Sequence, residues 1–400
     1  MDLELIRELV VKNDTKIVLL VIDGLGGLPN PDTGRTELEA ANKIHLDRLA
    51  ADGLCGLTTP VAPGITPGSG PGHLGLFGYD PLKYRVGRGV LEALGIDFDL
   101  KRSDLAARGN FCTVDPQGLI TDRRAGRIST ETCAALCEEL SAITLPGVEV
   151  FVKPVREHRF MLILRGDGLA QGIADTDPQI LGVPALDAKA ATPEAENTAR
   201  LLNQFIAQAR ARLADKHPAN MLLLRGISKW PDLPHMGDVF GLNAAAIAVY
   251  PMYRGLAKLV GMTVLPTGTN IHEEVATLQE RWQDYDFFFI HYKTTDSRGE
   301  DGDYDAKVAA LEEVDTIIPA ISALQPDVFM VGGDHSTPSL MAGHSWHPVP
   351  FVLYSPWCRR DRVEMFDENS CRAGGLGVIP ATSALPLALA NARRLTKYGA

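Results

Sequence analysis

No stretch of this 400-residue sequence approaches the roughly 18–20 consecutive apolar residues of a membrane-spanning helix, so no contact with a membrane is expected. Paired cysteines are missing too. The six thiols at 55, 112, 133, 137, 358 and 371 form no Cys-x-x-Cys pair and read as reduced core residues. Positive charge is in short supply, with 39 Lys and Arg against 50 Asp and Glu and a formal net charge of -11. That balance argues against nucleic acid as a partner, because phosphate backbones require clustered cations. Two nucleotide-binding signatures fail. No G-x-x-x-x-G-K-[ST] occurs, and in "VIDGLGGLP" (21–29) the third position of a dinucleotide fingerprint counted from Gly24 and Gly26 is Pro29. Repeats and low-complexity tracts are absent. The opening "MDLELIRELVVKNDTK" reads as an acidic helix rather than a basic, apolar export signal, so a cytoplasmic location is expected.

What is present is ample material for a core. At 400 residues with 45% hydrophobic content, the chain exceeds the roughly 250–300 residues at which one core stops growing. Two domains, or one with a large insertion, are therefore expected. Apolar runs alternate with amphipathic helices, the pattern of an α/β sheet. "KIVLLVID" (16–23), "YDFFFIHYKTTD" (285–296) and "PDVFMVGGDH" (326–335) read as central strands that are apolar on both faces, as parallel strands covered by helices should be. The Gly- and Pro-dense stretch "TTPVAPGITPGSGPGHLGLFGYDP" (58–81) is long enough for a loop inside a compact domain to be functional. Beyond residue 98 the texture turns alternating and arginine-rich. We expect residues 1–100 and 190–400 to form one domain and 101–189 a smaller inserted α+β domain, with helix 195–213 and strand 219–226 returning to the first.

Asp23, Asp296 and Asp334 each follow an apolar run. Singly, each could cap a helix or make a turn. In an open parallel sheet, however, strand carboxyl ends share one edge, and three carboxylates meeting there require compensating cations. His335 adjoins Asp334, "AGHSWHPVPF" supplies His344 and His347, and Glu300 lies one helical turn after Asp296. Mixed imidazole and carboxylate donors favour Mn²⁺, Zn²⁺ or Fe over an all-oxygen Ca²⁺ site, and the donors suffice for two ions. Ser69, between Gly68 and Gly70, is a candidate nucleophile that a metal would activate. Arg123, Arg124 and Arg127 in "ITDRRAGRI", with Arg156, Arg159, Arg165, Arg225, Lys229 and Arg254 elsewhere, offer guanidinium forks or an ammonium for a carboxylate or phosphate.

These residues carry a resemblance. "DGLGG", "PGITPGSGPGHLGLFGYDP", "RGNF", "TDRRAGRI", "YPMYRGLAKLVGM", "KTTDSRGEDGD" and "GGDHSTP" are similar, along nearly the whole chain, to the archaeal-type cofactor-independent phosphoglycerate mutases of the alkaline phosphatase superfamily. The resemblance implies an alkaline-phosphatase-like, mostly parallel sheet sandwiched by helices. It also implies a glycolytic and gluconeogenic isomerase acting on 3- and 2-phosphoglycerate through a phosphoserine. Two divalent ions are implied, Mn²⁺ first with Zn²⁺, Co²⁺ or Mg²⁺ as substitutes, and no 2,3-bisphosphoglycerate. Carried over by motif, Ser69 is the nucleophile. Asp23, Ser69, Asp334 and His335 hold one ion, and Asp296, Glu300 and His344 the other. Arg123, Arg124, Arg127, Arg159 and Arg254 are assigned to substrate. Glu300 stands where the family pattern has His. A carboxylate there is expected to keep the second ion while shifting preference toward Mn²⁺ or Mg²⁺. Two alternatives share these features: a metal-dependent phosphatase or phosphodiesterase, and a non-catalytic phosphosugar or metal-binding protein.

Overall fold

A computed structural model describes residues 2–399, which divide into two compact units. The larger comprises the chain up to Arg85 and from Leu233 onward, and the smaller spans Val86–Asp232.

The larger unit is built on an eight-stranded sheet. Its strands are β1 (Ile17–Ile22), β2 (Leu54–Thr59), β8 (Ala244–Ile247), β9 (Thr263–Val264), β10 (Phe287–Tyr292), β11 (Val328–Gly332), β12 (Val349–Tyr354) and β13 (Gly377–Pro380), with β3–β7 in the smaller unit. The spatial order is β13-β2-β12-β11-β1-β10-β8-β9. β1 pairs in parallel with both β10 and β11, and β12 runs antiparallel to its neighbours β11 and β2, so the sheet is mostly parallel with one reversed strand. Every residue of β1 and β10 is buried, as the unbroken apolar runs predict for strands covered on both faces. Phe288 packs into the helix-covered core with Leu278, Leu311 and Val314 and stacks on Trp282. Each such fully buried aromatic contributes about 2–3 kcal/mol. Among the described residues, no helix is long and apolar enough to cross a membrane.

The smaller unit holds β3 (Leu105–Val114), β4 (Ile120–Asp122), β5 (Glu149–Arg156), β6 (Arg159–Arg165) and β7 (Met221–Lys229), all antiparallel, in the order β4-β3-β6-β5 with β7 on the other side of β3. Helices Thr130–Ser141 and Glu196–Leu213 close its core around Phe111, Phe160 and Phe205. The sequence reading returned the second of these helices and the strand after it to the larger unit. The register of Cys112 on Met221 through Leu105 on Lys229 shows where they go instead. Val86–Asp232 is accordingly wider than the 101–189 expected. An apolar strand after a helix reads alike in either sheet. Only pairing separates the two.

The polarity of the large sheet decides what gathers at its edge. Residues following β1, β2, β8, β10 and β11 emerge at the carboxyl edge, and because β12 is reversed, the residues preceding it arrive there as well.

Candidate active site

Six chain segments supply this edge. Asp23 follows β1 directly, and Gly24, at φ +65°, turns the chain so tightly that a Cβ would lie 2.9 Å from the Asp296 Cα. Asp296 sits in the helix Thr294–Glu300 after β10, Asp334 and His335 follow β11, and His344 precedes β12. The loop after β2 ends in the helix Ser69–Leu76, whose first residue is Ser69. Gly72 allows that helix to press against the β11 loop, since a Cβ there would meet the Asp334 carbonyl at 2.1 Å. Tyr253, in the helix Pro251–Leu259 beyond β8, completes the wall.

Asp23, Ser69, Asp296, Asp334 and His335 are all buried. Ser69 Oγ lies 3.2 Å from His335 Nε2, which in turn is 3.3 Å from Asp23 Oδ1 and 3.2 Å from Asp334 Oδ2. His344 stacks on His335 with ring centroids 3.6 Å apart, and its Nε2 lies 3.5 Å from Asp296 Oδ1 and 3.7 Å from Glu300 Oε1. Two donor groups result, one of Asp23, Asp334 and His335, the other of Asp296, His335 and His344. Glu300 is exposed and stands beside the second group rather than in it. His347 turns to Ser345 Oγ at 3.0 Å and stacks on Trp346, in neither group.

The hydrogen bonds fix which atoms are left for a ligand. Thr337 has one hydroxyl proton and donates it to Asp296 Oδ1 at 2.7 Å, so the contact of 2.9 Å with His335 Nδ1 has that nitrogen donating. His335 Nε2 then carries the lone pair. His344 Nδ1 faces the Pro67 carbonyl at 2.9 Å, which can only accept, so the neutral tautomer of His344 has its lone pair on Nε2. Burial holds His335 below its ordinary pKa despite the neighbouring Asp334 and Asp23. Asp23 Oδ2 accepts from Tyr253 and His291, whereas the buried Asp23 Oδ1 has no aligned hydrogen bond among the described residues, and Asp334 Oδ2 lies 3.1 Å from His73 Nδ1, a nitrogen aligned instead on the Ser69 carbonyl at 2.8 Å. Unprotonated imidazole nitrogens and unsatisfied carboxylate oxygens thus point at the same small volume. That is the donor chemistry a divalent cation requires.

Three functional candidates escaped the sequence reading. Lys293 bridges Asp23 and Asp296, and although burial would raise Asp23, this ammonium with His291 and His335 carries it well below the usual carboxylate range. Its signal was position, three residues before Asp296. Tyr253 and His291, stacked at 3.6 Å, both hold Asp23 Oδ2. Nothing in the sequence separates them from core aromatics.

In the smaller unit, His158 is buried and pushed down to about 3, first by burial and then by Arg159, Arg108, Arg124 and Arg127. Three of the expected arginines therefore share one neighbourhood with Arg108. Arg123 is instead engaged by Asp177, through contacts of 3.0 and 2.6 Å, and Arg254 belongs to the larger unit, next to Tyr253.

A mixed α/β sheet with a serine, carboxylates and imidazoles gathered at its carboxyl edge has the arrangement in which α/β proteins bind their ligands. Residues 50–220 match the family model of 2,3-bisphosphoglycerate-independent phosphoglycerate mutase. A probable mutase of that kind from Thermosipho melanesiensis is 50% identical over 399 residues, covering 99% of each chain, and one from Aquifex aeolicus is 49% identical over 408 residues, covering 100% of each. Among solved structures, a Pyrococcus horikoshii protein matches 97% of this chain and 100% of its own at TM-score 0.85 and 28% identity. The cofactor-independent phosphoglycerate mutase from Thermoplasma acidophilum matches 94% and 100% at TM-score 0.71 and 30% identity. The chain belongs to the 2,3-bisphosphoglycerate-independent phosphoglycerate mutase family.

Proposed function

We propose that the chain interconverts 3-phosphoglycerate and 2-phosphoglycerate through a phosphoserine at Ser69, a step of glycolysis and gluconeogenesis suited to the cytoplasm. One observation carries the reading: Ser69 Oγ lies 3.2 Å from an unprotonated His335 nitrogen, beside carboxylate oxygens that accept no aligned hydrogen bond.

Asp23, Ser69, Asp334 and His335 would hold one divalent ion, and Asp296 and His344 the other, with Glu300 completing that set from the exposed side. Mn²⁺ is the first choice for this donor mixture, with Zn²⁺, Co²⁺ or Mg²⁺ as substitutes. When bound, such ions supply Lewis-acid charge that lowers the serine pKa and neutralises phosphoryl oxygens. Ser69 loses its hydroxyl proton as Oγ bonds to phosphorus, the departing glycerate oxygen takes up a proton as its bond to phosphorus breaks, and the other glycerate hydroxyl later reverses the transfer on the second carbon with the same proton exchange. The amino end of the Ser69 helix favours the phosphoryl charge. Lys293 places a cation between Asp23 and Asp296. Arg124, Arg127 and Arg159, with Arg108, offer planar forks for the carboxylate and phosphate of the substrate, around a buried His158 that stays neutral. Arg123, through its pair with Asp177, positions the segment that bears Arg124 and Arg127, and Arg254 contributes a cation from beside Tyr253. The smaller unit, Val86–Asp232, is on this reading the substrate-holding domain.

The test is a coupled mutase assay on metal-stripped protein with single metals restored and no added 2,3-bisphosphoglycerate. Turnover that returns with Mn²⁺, without net phosphate release, is the expected result. Phosphate release without isomerisation would install the phosphatase reading instead.

A further inference from the structure

Behind the proposed metal groups lies a second set of buried charges that touches neither of them. Lys307, on the helix Tyr304–Ser322, is fully buried. Its Nζ donates to the carbonyls of Gly26 at 3.0 Å and Thr337 at 2.9 Å and lies 4.0 Å from Glu37 Oε1. The two carbonyls belong to different loops, one after β1 and one after β11, each three residues beyond an aspartate of the site. Those loops also meet directly, Thr337 donating its N–H to the Gly26 carbonyl at 3.0 Å. Glu37 continues the clamp by accepting from the Ser339 N–H at 2.8 Å and its hydroxyl at 2.6 Å. Glu368, half-buried, takes the Gly27 N–H at 2.7 Å.

We propose that Lys307 is a positioning residue for the metal site, an internal ammonium in a carbonyl cage that locks the Asp23 and Asp334–His335 loops together and so sets the affinity of both ion groups. The inference rests on the metal reading above. Its leverage comes from Thr337. The carbonyl of that residue is held by Lys307, and its hydroxyl orients Asp296 and fixes the His335 tautomer, so a shift of the Thr337 backbone disturbs a donor in each group at once. Filling a helix stripe beside Leu311 and Val314 does not explain the choice of residue. A methionine would do that without the desolvation penalty that a buried ammonium incurs. Only a cation with several donors joins two carbonyls and a carboxylate at one point.

The experiment is a Mn²⁺ titration of the metal-stripped full chain, followed by electron paramagnetic resonance, for the wild type, Lys307→Met, Lys307→Ala and Glu37→Gln. Outer contacts of this kind typically govern metal affinity by about 10–100-fold, so the Kd for Mn²⁺ should rise by that factor in Lys307→Met, while saturating Mn²⁺ restores kcat and leaves KM for phosphoglycerate unchanged. In Lys307→Ala, ethylammonium should recover part of the lost affinity where tetramethylammonium at equal ionic strength does not, a response that mere loss of packing cannot produce. A folded Lys307→Met that binds Mn²⁺ as tightly as the wild type overturns the inference alone. A wild type that takes up no Mn²⁺ overturns the site reading and this inference with it. Should both Lys307 variants fail to fold, Glu37→Gln decides, since it keeps volume and acceptor oxygen but removes the counter-charge. A several-fold weaker Mn²⁺ affinity supports the proposal, and an unchanged one sinks it.

Discussion

Asp23, Asp296 and Asp334 are buried at the strand ends of the larger unit, whereas Arg124 and Arg127 of the smaller unit face solvent. Buried carboxylates this close cannot all stay ionised without permanent counter-charge. Lys293 supplies one fixed positive charge against three negative ones, and burial holds His335 and His291 below their ordinary pKa, while Asp334 carries His73 above its own despite burial. Exposed guanidinium groups carry no such penalty while they wait. The contrast separates two tasks, keeping resident cations and receiving a transient anion. Substitutions of the buried carboxylates in the larger unit should therefore change what stays bound, and those of the arginines in the smaller unit what comes and goes.

Ser69→Ala gives the largest expected effect, a fall in kcat on the order of 10⁴-fold or more with an unchanged melting curve and unchanged Mn²⁺ stoichiometry within one ion. Retained turnover would remove Ser69 from the chemistry. Asp334→Asn should cost on the order of 10²–10³-fold in activity and, unlike any arginine change, lower the metal content measured by elemental analysis. Arg159→Ala is the converse: kcat/KM falls about 10–100-fold, mostly through KM, and metal content stays put. Metal loss in that variant would erase the distinction between the units.

Stability against pH separates the units in a second way. Glu274, buried in the larger unit, is pushed up to about 9 by burial. The folded state then keeps a proton that the unfolded state releases, so this group costs stability progressively as pH rises from 4.5 to about 9. Glu274→Gln should flatten that slope and add on the order of 2–3 kcal/mol near pH 7. His158, held down to about 3, acts in the opposite direction: the unfolded state gains a proton first, and stability is lost as pH falls from 6.5 toward 3. Thermal melts of Glu274→Gln and His158→Gln across both windows check the two signs. The smallest effect belongs to Glu300→His, a few-fold change in the ratio of activities with Mn²⁺, Zn²⁺ and Mg²⁺. Identical ratios in variant and wild type would show that the side chain at 300 does not reach the ion.

Much of the site could be read before any coordinates because parallel strands announce themselves as apolar runs, and the first polar residue after each run lands on one edge. Asp23 and Asp334 follow that rule, and Asp296 comes four residues after β10, in the helix that the strand leads into. His344 reaches the edge for a reason periodicity does not show, the reversal of β12. Lys307 had a visible signal, a lysine on the same helical face as Leu311 and Val314, where a solvated charge does not belong. Tyr253 and His291 had none, since an aromatic that packs and one that also donates to a carboxylate look alike in a sequence. The boundary of the smaller unit was misjudged for a related reason. β7 is as apolar as a central strand of the large sheet, and its partner lies more than a hundred residues upstream.

The segment joining β11 to its reversed neighbour carries Asp334, His335 and His344, which places members of both proposed ion groups on a single hairpin-like excursion. Fraying of that excursion would empty both positions together. Chelators should accordingly strip the protein in one kinetic phase, with no long-lived form carrying a lone ion.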